Sequence, residues 1–237
     1  MQNLGDIYDL VLIQLGKDQW GSYVTPDNFN ELAPKVSTIK LNQLIERFEI
    51  DRQLSTDLNM LITSLGDNEL APLNFDDYGY ADLPSDYFYF ARGEFNDFTN
   101  TCDGVVSKLR MVEFLDQAKF NVRVSNEMKK PTRRQPILTV QNDKLLIRPI
   151  LPSVRFTYVR QPKTVFFDYD IINEVPVYLP PNAVHVNSSV LPAGTPSRSV
   201  EYEFPISVYP DLVNLLVREY SIKIRSEFGI QTTSVTQ

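Results

Sequence analysis

The chain reads as an α+β protein: a helical bundle with an attached small antiparallel β-domain and a long proline-rich arm. Three observations predict this. Apolar residues recur at three- and four-residue steps before residue 65 and again after 105 and 209. From residue 136 the apolar period falls to two. Between 161 and 207 lie seven of the sixteen prolines, a density that suits an extended arm or long loop.

Segment 6–15 (DIYDLVLIQL) places Ile7, Leu10, Val11 and Gln14 on one helical face, with Asp6 as the expected N-cap and Gly16 as the stop. Thr25-Pro26-Asp27 then carries the marks of a helix start: a capping hydroxyl, a proline at the first helical position and an acid in the first turn. Phe29, Leu32, Val36, Ile39, Leu44, Ile45 and Phe48 carry this helix to about 48, with a kink or break expected near 30–34 from Pro34. Leu54, Leu58, Leu61, Ile62 and Leu65 predict a third helix, ended by Gly66.

After that the character changes. Pro84-Ser85-Asp86 reads as a turn and Tyr87-Phe88-Tyr89-Phe90 as a strand. Helical spacing returns over 105–126 through Leu109, Val112, Leu115, Ala118 and Val122, closed by the basic loop Lys129-Lys130-Pro131-Thr132-Arg133-Arg134. PILTVQNDKLLIRPI predicts two strands around Gln141-Asn142-Asp143, and SVRFTYVR a third with Val154, Phe156 and Tyr158 on one face. The arm follows, and Tyr209-Pro210-Asp211 opens a last helix ending near Phe228-Gly229 before a flexible tail, 229–237. The expected organisation is therefore a bundle from 1–70, 105–126 and 209–228, and a β-domain with arm from 84–98 and 136–207.

Composition narrows the function. The 237 residues are 43% hydrophobic and 22% charged, values of a folded globular chain. One cysteine, Cys102, and one histidine, His185, rule out a disulfide framework and a Cys/His zinc site within one chain. Neither phosphate-cradling glycine motif occurs, so no nucleotide cofactor is expected, and with one cysteine and one histidine no metal is expected either. A net charge of −7 argues against duplex DNA as the main ligand. The N-terminus has no basic leader and no apolar stretch approaches the roughly 20 residues of a membrane span, so a soluble, unexported protein is expected. His185, without a second histidine or cysteine nearby, reads as a loop or interface residue, and Cys102 as an inert thiol. The acid pairs Asp76-Asp77 and Asp168 with Asp170 match the two-carboxylate requirement of glycosidic cleavage, a weak signal in an acidic chain.

Charge segregation is the sharper signal. Residues 67–97 carry eight acids against Arg92, and residues 129–163 carry nine bases against Asp143. Two solvated faces, or pairing within the chain, would account for the counts. The functional reading is a head-to-tail contact in which the basic region of one subunit meets the acidic region of the next, the kind of heterologous interface that closes into a ring. Its candidate residues are Asp76, Asp77, Asp82 and Asp86 on one side and Lys129, Lys130, Arg133 and Arg134 on the other. Aromatics of the arm, Phe166, Phe167 and Tyr178, are candidate anchors in pockets of adjacent chains, or else a cover for the chain's own β-domain.

The order of motifs also carries a resemblance. DIYDLVLIQLGKDQWGSYVTPDNFN, the LPSDY-F segment 83–90, KKPTRR, PILTVQNDKLLIRPI, FTYVRQP and YPDLVNLLVREYSIKI together resemble the ring or head–tail connector proteins of crAss-like gut bacteriophages. The layout is more distantly similar to tail tubular protein A and other adaptors of short-tailed phages. The resemblance implies a structural virion protein, made in the host bacterial cytoplasm and placed in the portal–tail neck as a homo-oligomer of about twelve copies matching the portal's symmetry. It implies contacts with the portal protein and neighbouring ring or tail proteins, DNA passing an acidic channel without specific binding, no membrane, no cofactor and no catalytic residues. The proline-rich arm departs from the minimal adaptor layout. Two other readings stand beside it: a tail-fibre or baseplate attachment module of trimeric or six-fold symmetry, and a virion-associated glycan hydrolase using acids in 76–86 or 168–174.

Overall fold

In the computed structural model, which describes residues 3–16, 24–50, 56–66, 71–101 and 104–234, the chain is β-rich. In chain order its elements are α1 (Leu4–Gln14), α2 (Pro26–Ile50), β1 (Ile62–Leu65), β2 (Leu73–Asn74), β3 (Tyr80–Asp82), β4 (Tyr87–Thr101), β5 (Gly104–Phe114) and α3 (Gln117–Ser125). There follow β6 (Ile137–Gln141), β7 (Lys144–Arg148), β8 (Ser153–Arg160), β9 (Tyr169–Ile172), β10 (Val175–Tyr178) and α4 (Tyr209–Ser234). The expected helical bundle with a small β-domain and a proline-rich arm is overturned: most of the elements are strands, and eight of them make one mixed sheet.

Two expected helices are absent. Residues 56–61 form turns and 62–65 are strand β1, while 104–114 is strand β5, with only 117–125 helical in the stretch expected to be helix. Leu109 and Val112 stand three apart, which fits one face of a helix, yet they point to opposite sides of a strand of period two. Val112 is buried in the sheet's core and Leu109 is exposed. The adjacent β-branched pair Val105-Val106 and the long pairing with β4 decide in favour of a strand.

The chain divides into two units, one of Met1–Met60 with Pro162–Gln237 and one of Leu61–Gln161. In the second unit the strand order is β1-β8-β4-β5-β6-β7-β3, with β2 also paired to β8. All pairs are antiparallel except β5 with β6. The hairpin β6–β7 turns at Asn142 and Asp143, both at positive φ (50° and 60°), where the sequence predicts it. The third strand predicted from SVRFTYVR, β8, pairs with β4, β1 and β2 and not with the neighbouring β7. Val154, Phe156 and Tyr158 do share the buried face of β8, packed with Phe95, Val112, Leu138, Leu145 and Ile147. On β6 and β7 the alternate residues Ile137 and Leu146 pack with Phe120 of α3, so these strands are buried on both faces.

In the first unit α1 begins at Asn3, whose side chain accepts from the Asp6 N–H while Asp6 accepts from the Asn3 N–H, each at 2.9 Å. Asp6 thus closes a capping box and is not itself the cap. At α2 Thr25 Oγ1 accepts from the Asn28 N–H at 3.2 Å, as the sequence predicts. Of the kink or break expected near 30–34, the break does not occur: α2 runs unbroken through Pro34. Phe29, Leu32 and Ala33 before it and Val36, Leu41 and Leu44 after it are all buried, and this apolar stripe outweighs the roughly 3 kcal/mol of an interior proline. α4 continues through Gly229 to Ser234 where an end near 228 was expected; the last three residues of the expected tail lie outside the described residues. Leu212, Val213, Leu216 and Tyr220 form its buried face.

The proline-rich segment is folded into this unit. β9 and β10 pair through Asn173 and Glu174, both at positive φ, and bridges join Phe166 to Val200 and Val184 to Pro196. Phe167, Tyr202 and Phe204 are buried. Pro176 lies within β10, the Pro180 and Pro192 carbonyls close turns with the Ala183 and Thr195 N–H groups, and Pro196 meets Val184, so the segment packs around a core instead of extending as an arm.

Candidate functional site

Within segment 162–208 a buried polar cluster forms around His185, which is 1% exposed and stands in a hairpin-like turn where its own N–H donates to the Thr195 carbonyl. Nδ1 lies 2.7 Å from Asp170 Oδ1 and Nε2 lies 3.3 Å from Asp168 Oδ2. A neutral imidazole carries one N–H, so two carboxylate neighbours select the imidazolium. The hydrogen bond to Asp170 raises the His185 pKa, opposed by burial and aided by Asp168. Burial pushes the Asp168 carboxyl up, and the Arg198 N–H at 2.8 Å, His185 and the Arg198 guanidinium more than reverse it, holding the carboxyl below its ordinary value. Asp170 is held low by the Val186 N–H at 2.8 Å, then by His185. The cluster ties three stretches of chain together, and both carboxylates are almost fully buried. His185 lies in a loop, as the sequence predicts, and the loop folds inward so that the imidazole becomes the centre of this cluster.

The charged residues named from the sequence for the head-to-tail contact all lie in the second unit. Asp76 Oδ1 accepts from the N–H groups of Tyr78 (2.9 Å) and Tyr80 (2.7 Å), closing a turn. Asp77 is exposed, Asp82 lies on β3 with Lys144 Nζ at 3.3 Å, and Asp86 accepts from the Tyr158 hydroxyl at 2.8 Å. Burial, then Asp86, pushes that phenol up to about 12. Lys129, Lys130 and Arg134 are exposed on the loop between α3 and β6. Arg133 reaches Asp97 at 3.2 Å, which also receives Arg110 at 2.6 Å.

Of the aromatic candidates, Phe167 is buried and Phe166 and Tyr178 are half-buried. Phe167 is buried against Tyr8 (4.7 Å between ring centroids), Phe29 (5.5 Å) and Tyr178 (5.0 Å), so it anchors its own chain. The Tyr178 hydroxyl donates to Glu201, and burial raises its pKa well above the usual phenol range. Phe166 lies under the Arg198 guanidinium, 5.2 Å from its ring centroid. Cys102 lies outside the described residues. Among the described residues no group of three or more His, Cys, Asp or Glu side chains could hold a metal ion, and no helix is long and apolar enough to cross a membrane.

The feature the sequence reading missed is the β4–β5 ribbon. β8 leaves β4 at Glu94, and β6 meets β5 only at Glu113 and Phe114. From Phe95 to Thr101 and from Gly104 to Val112 the two strands pair only with each other among the described strands. The register puts Glu94 opposite Met111, Asn96 opposite Leu109 and Phe98 opposite Ser107, so Phe98, Leu109 and Met111 share one face. They are 60%, 49% and 57% exposed. Beside this face runs a cleft of about 350 Å³, whose walls include Phe98, Leu109, Pro72 and Pro152 and whose charged groups are Arg133, Arg155 and Glu94.

No protein-family model matches the chain, and no curated protein matches it in sequence.

Proposed function

We propose that the chain is a structural virion protein that assembles, with no bond made or broken, into a homo-oligomeric ring in the portal–tail neck of a tailed phage. The ribbon carries the reading. A two-stranded hairpin free of the rest of its sheet is marginally stable in water, and this one keeps three large apolar side chains exposed on one face. Such an element gains order and burial when other subunits cover it. The motif order that resembles connector proteins names the setting, and the exposed charges of opposite sign at Asp77 and Asp82 and at Lys129, Lys130 and Arg134 suit a head-to-tail contact between copies.

Sedimentation and electron microscopy of the purified chain, alone and with a portal protein, test this. Closed rings matching the portal's symmetry are the expected result. A chain that stays monomeric with and without the portal overturns it, and trimers or six-fold rings would move the protein to a fibre or baseplate.

A further inference from the structure

The turn before β3 is built to present one side chain. Asp76 holds the N–H groups of Tyr78 and Tyr80, the Gly79 N–H donates to the Asp76 carbonyl at 2.9 Å, and Arg148 donates to the Tyr78 carbonyl at 2.7 Å. Gly79 has φ +78°, and a Cβ there would fall 2.8 Å from the Ile147 carbonyl oxygen, so glycine is required. On this fixed turn the Tyr78 side chain is 74% exposed. Beside it in the turn are the exposed Asp76 and Asp77, while Ile150 and the Arg148 guanidinium lie against Gly79. The result is an aromatic knob with an acidic rim, its backbone ordered in advance so that little entropy is lost on docking. Tyrosine on a rigid support is a common anchor of protein interfaces.

The cleft beside the ribbon has the complementary character. Its walls are apolar (Phe98, Leu109, Pro72, Pro152), and at its rim Arg133, already on Asp97, and Arg155, 3.9 Å from Glu94, remain 60% and 38% exposed at their side chains. The exposed Arg134, Lys129 and Lys130 on the neighbouring loop add positive charge. Knob and cleft use different residues of one chain, so a contact between them is heterologous and each subunit keeps one of each.

We propose that the Tyr78 turn of one subunit seats in the Phe98–Leu109–Pro152 cleft of the next, with Asp77 facing Arg133 and Arg155. This rests on the assembly reading above and names its interface. Apolar burial at the centre supplies affinity, and the charges at the rim set orientation and register.

Two full-length variants test it: Tyr78→Ser, which removes the knob and leaves the cleft, and Leu109→Asp, which blocks the cleft and leaves the knob. Both residues are exposed, and circular dichroism checks the fold; Asp77→Lys serves as a second knob variant. Each variant alone raises the concentration for half-assembly by about 30-fold or more, the effect of losing an interface anchor. Mixed at equal amounts, Tyr78→Ser and Leu109→Asp form a heterodimer that grows no further, because one sound knob meets one sound cleft. Variants that assemble like the wild type, or a mixture that yields no heterodimer, overturn the interface while leaving ring assembly in place. A wild-type chain that never self-associates overturns the assembly reading together with it.

Discussion

At His185 the two ring nitrogens face two different carboxylates, Asp170 at 2.7 Å and Asp168 at 3.3 Å, and that geometry makes the first unit's stability depend on pH. The raised imidazole pKa means a contribution fully present below the unfolded value of about 6.5 and lost as pH rises through the folded one. The depressed carboxyl pKa values of Asp168 and Asp170 mean a contribution present above about 3.9 and lost as pH falls through their folded values. The cluster is therefore most stabilising between about pH 4 and 6.5. His185→Gln should lower the thermal midpoint most in that window, with the gap to wild type narrowing toward alkaline pH; a gap constant from pH 5 to 9 would refute the imidazolium assignment. From sequence, Asp168 with Asp170 is visible as a pair of acids in the proline-rich segment, and His185 as a lone histidine. Their meeting was not legible, because a turn closed by the Val184–Pro196 bridge brings them together and no local spacing encodes that bridge.

Among elements, α1, α2, the β6–β7 hairpin and β8 were legible because each carries its own punctuation or period: Gly16 after α1, Thr25-Pro26 before α2, Asn142-Asp143 at the hairpin, and Val154, Phe156 and Tyr158 on alternate positions. β5 was not, since Leu109 and Val112 satisfy a helical step while pairing with β4 places them on opposite faces. The folded state of segment 162–208 was likewise hidden, because what orders it comes from elements far away in sequence. Asn30 of α2 is the clearest instance: its side-chain amide donates to the Phe167 carbonyl at 3.0 Å and accepts from the Phe167 N–H at 2.6 Å, the pairing a neighbouring strand would supply. Asn30→Ala leaves both backbone groups of a buried residue without partners and should destabilise the first unit by about 1–3 kcal/mol. Chemical denaturation followed by helical circular dichroism measures this. An unchanged midpoint would show that water replaces the amide at no loss.

Over the whole molecule, the second unit enters and leaves the first as an insertion. Its ends are held together by its own pairing: β1 runs antiparallel to β8, Ile62 stands opposite Val159, and the Arg160 N–H donates to the Leu61 carbonyl at 2.8 Å. Chain ends that meet in one strand pair let a domain sit in a loop of its host without straining either. The inserted unit also owns its core, from Phe95 and Val112 through Phe156 and Tyr158, and every strand of its sheet lies within residues 61–161. The ribbon, the cleft and the Tyr78 turn belong to this unit as well, so the proposed contact between copies needs no residue of the helical unit. A fragment of residues 61–161 should therefore fold alone, with a β-type spectrum and a cooperative thermal transition. The host, with Met60 joined to Pro162 by a short glycine–serine bridge, should keep the helical signal of α1, α2 and α4. If the fragment is unfolded while the full chain is folded, the sheet depends on the helical unit and the insertion view fails. If the fragment folds and self-associates with the same sensitivity to Tyr78→Ser as the full chain, recognition between copies resides in the sheet unit, leaving the helical unit's surface open to a different neighbour.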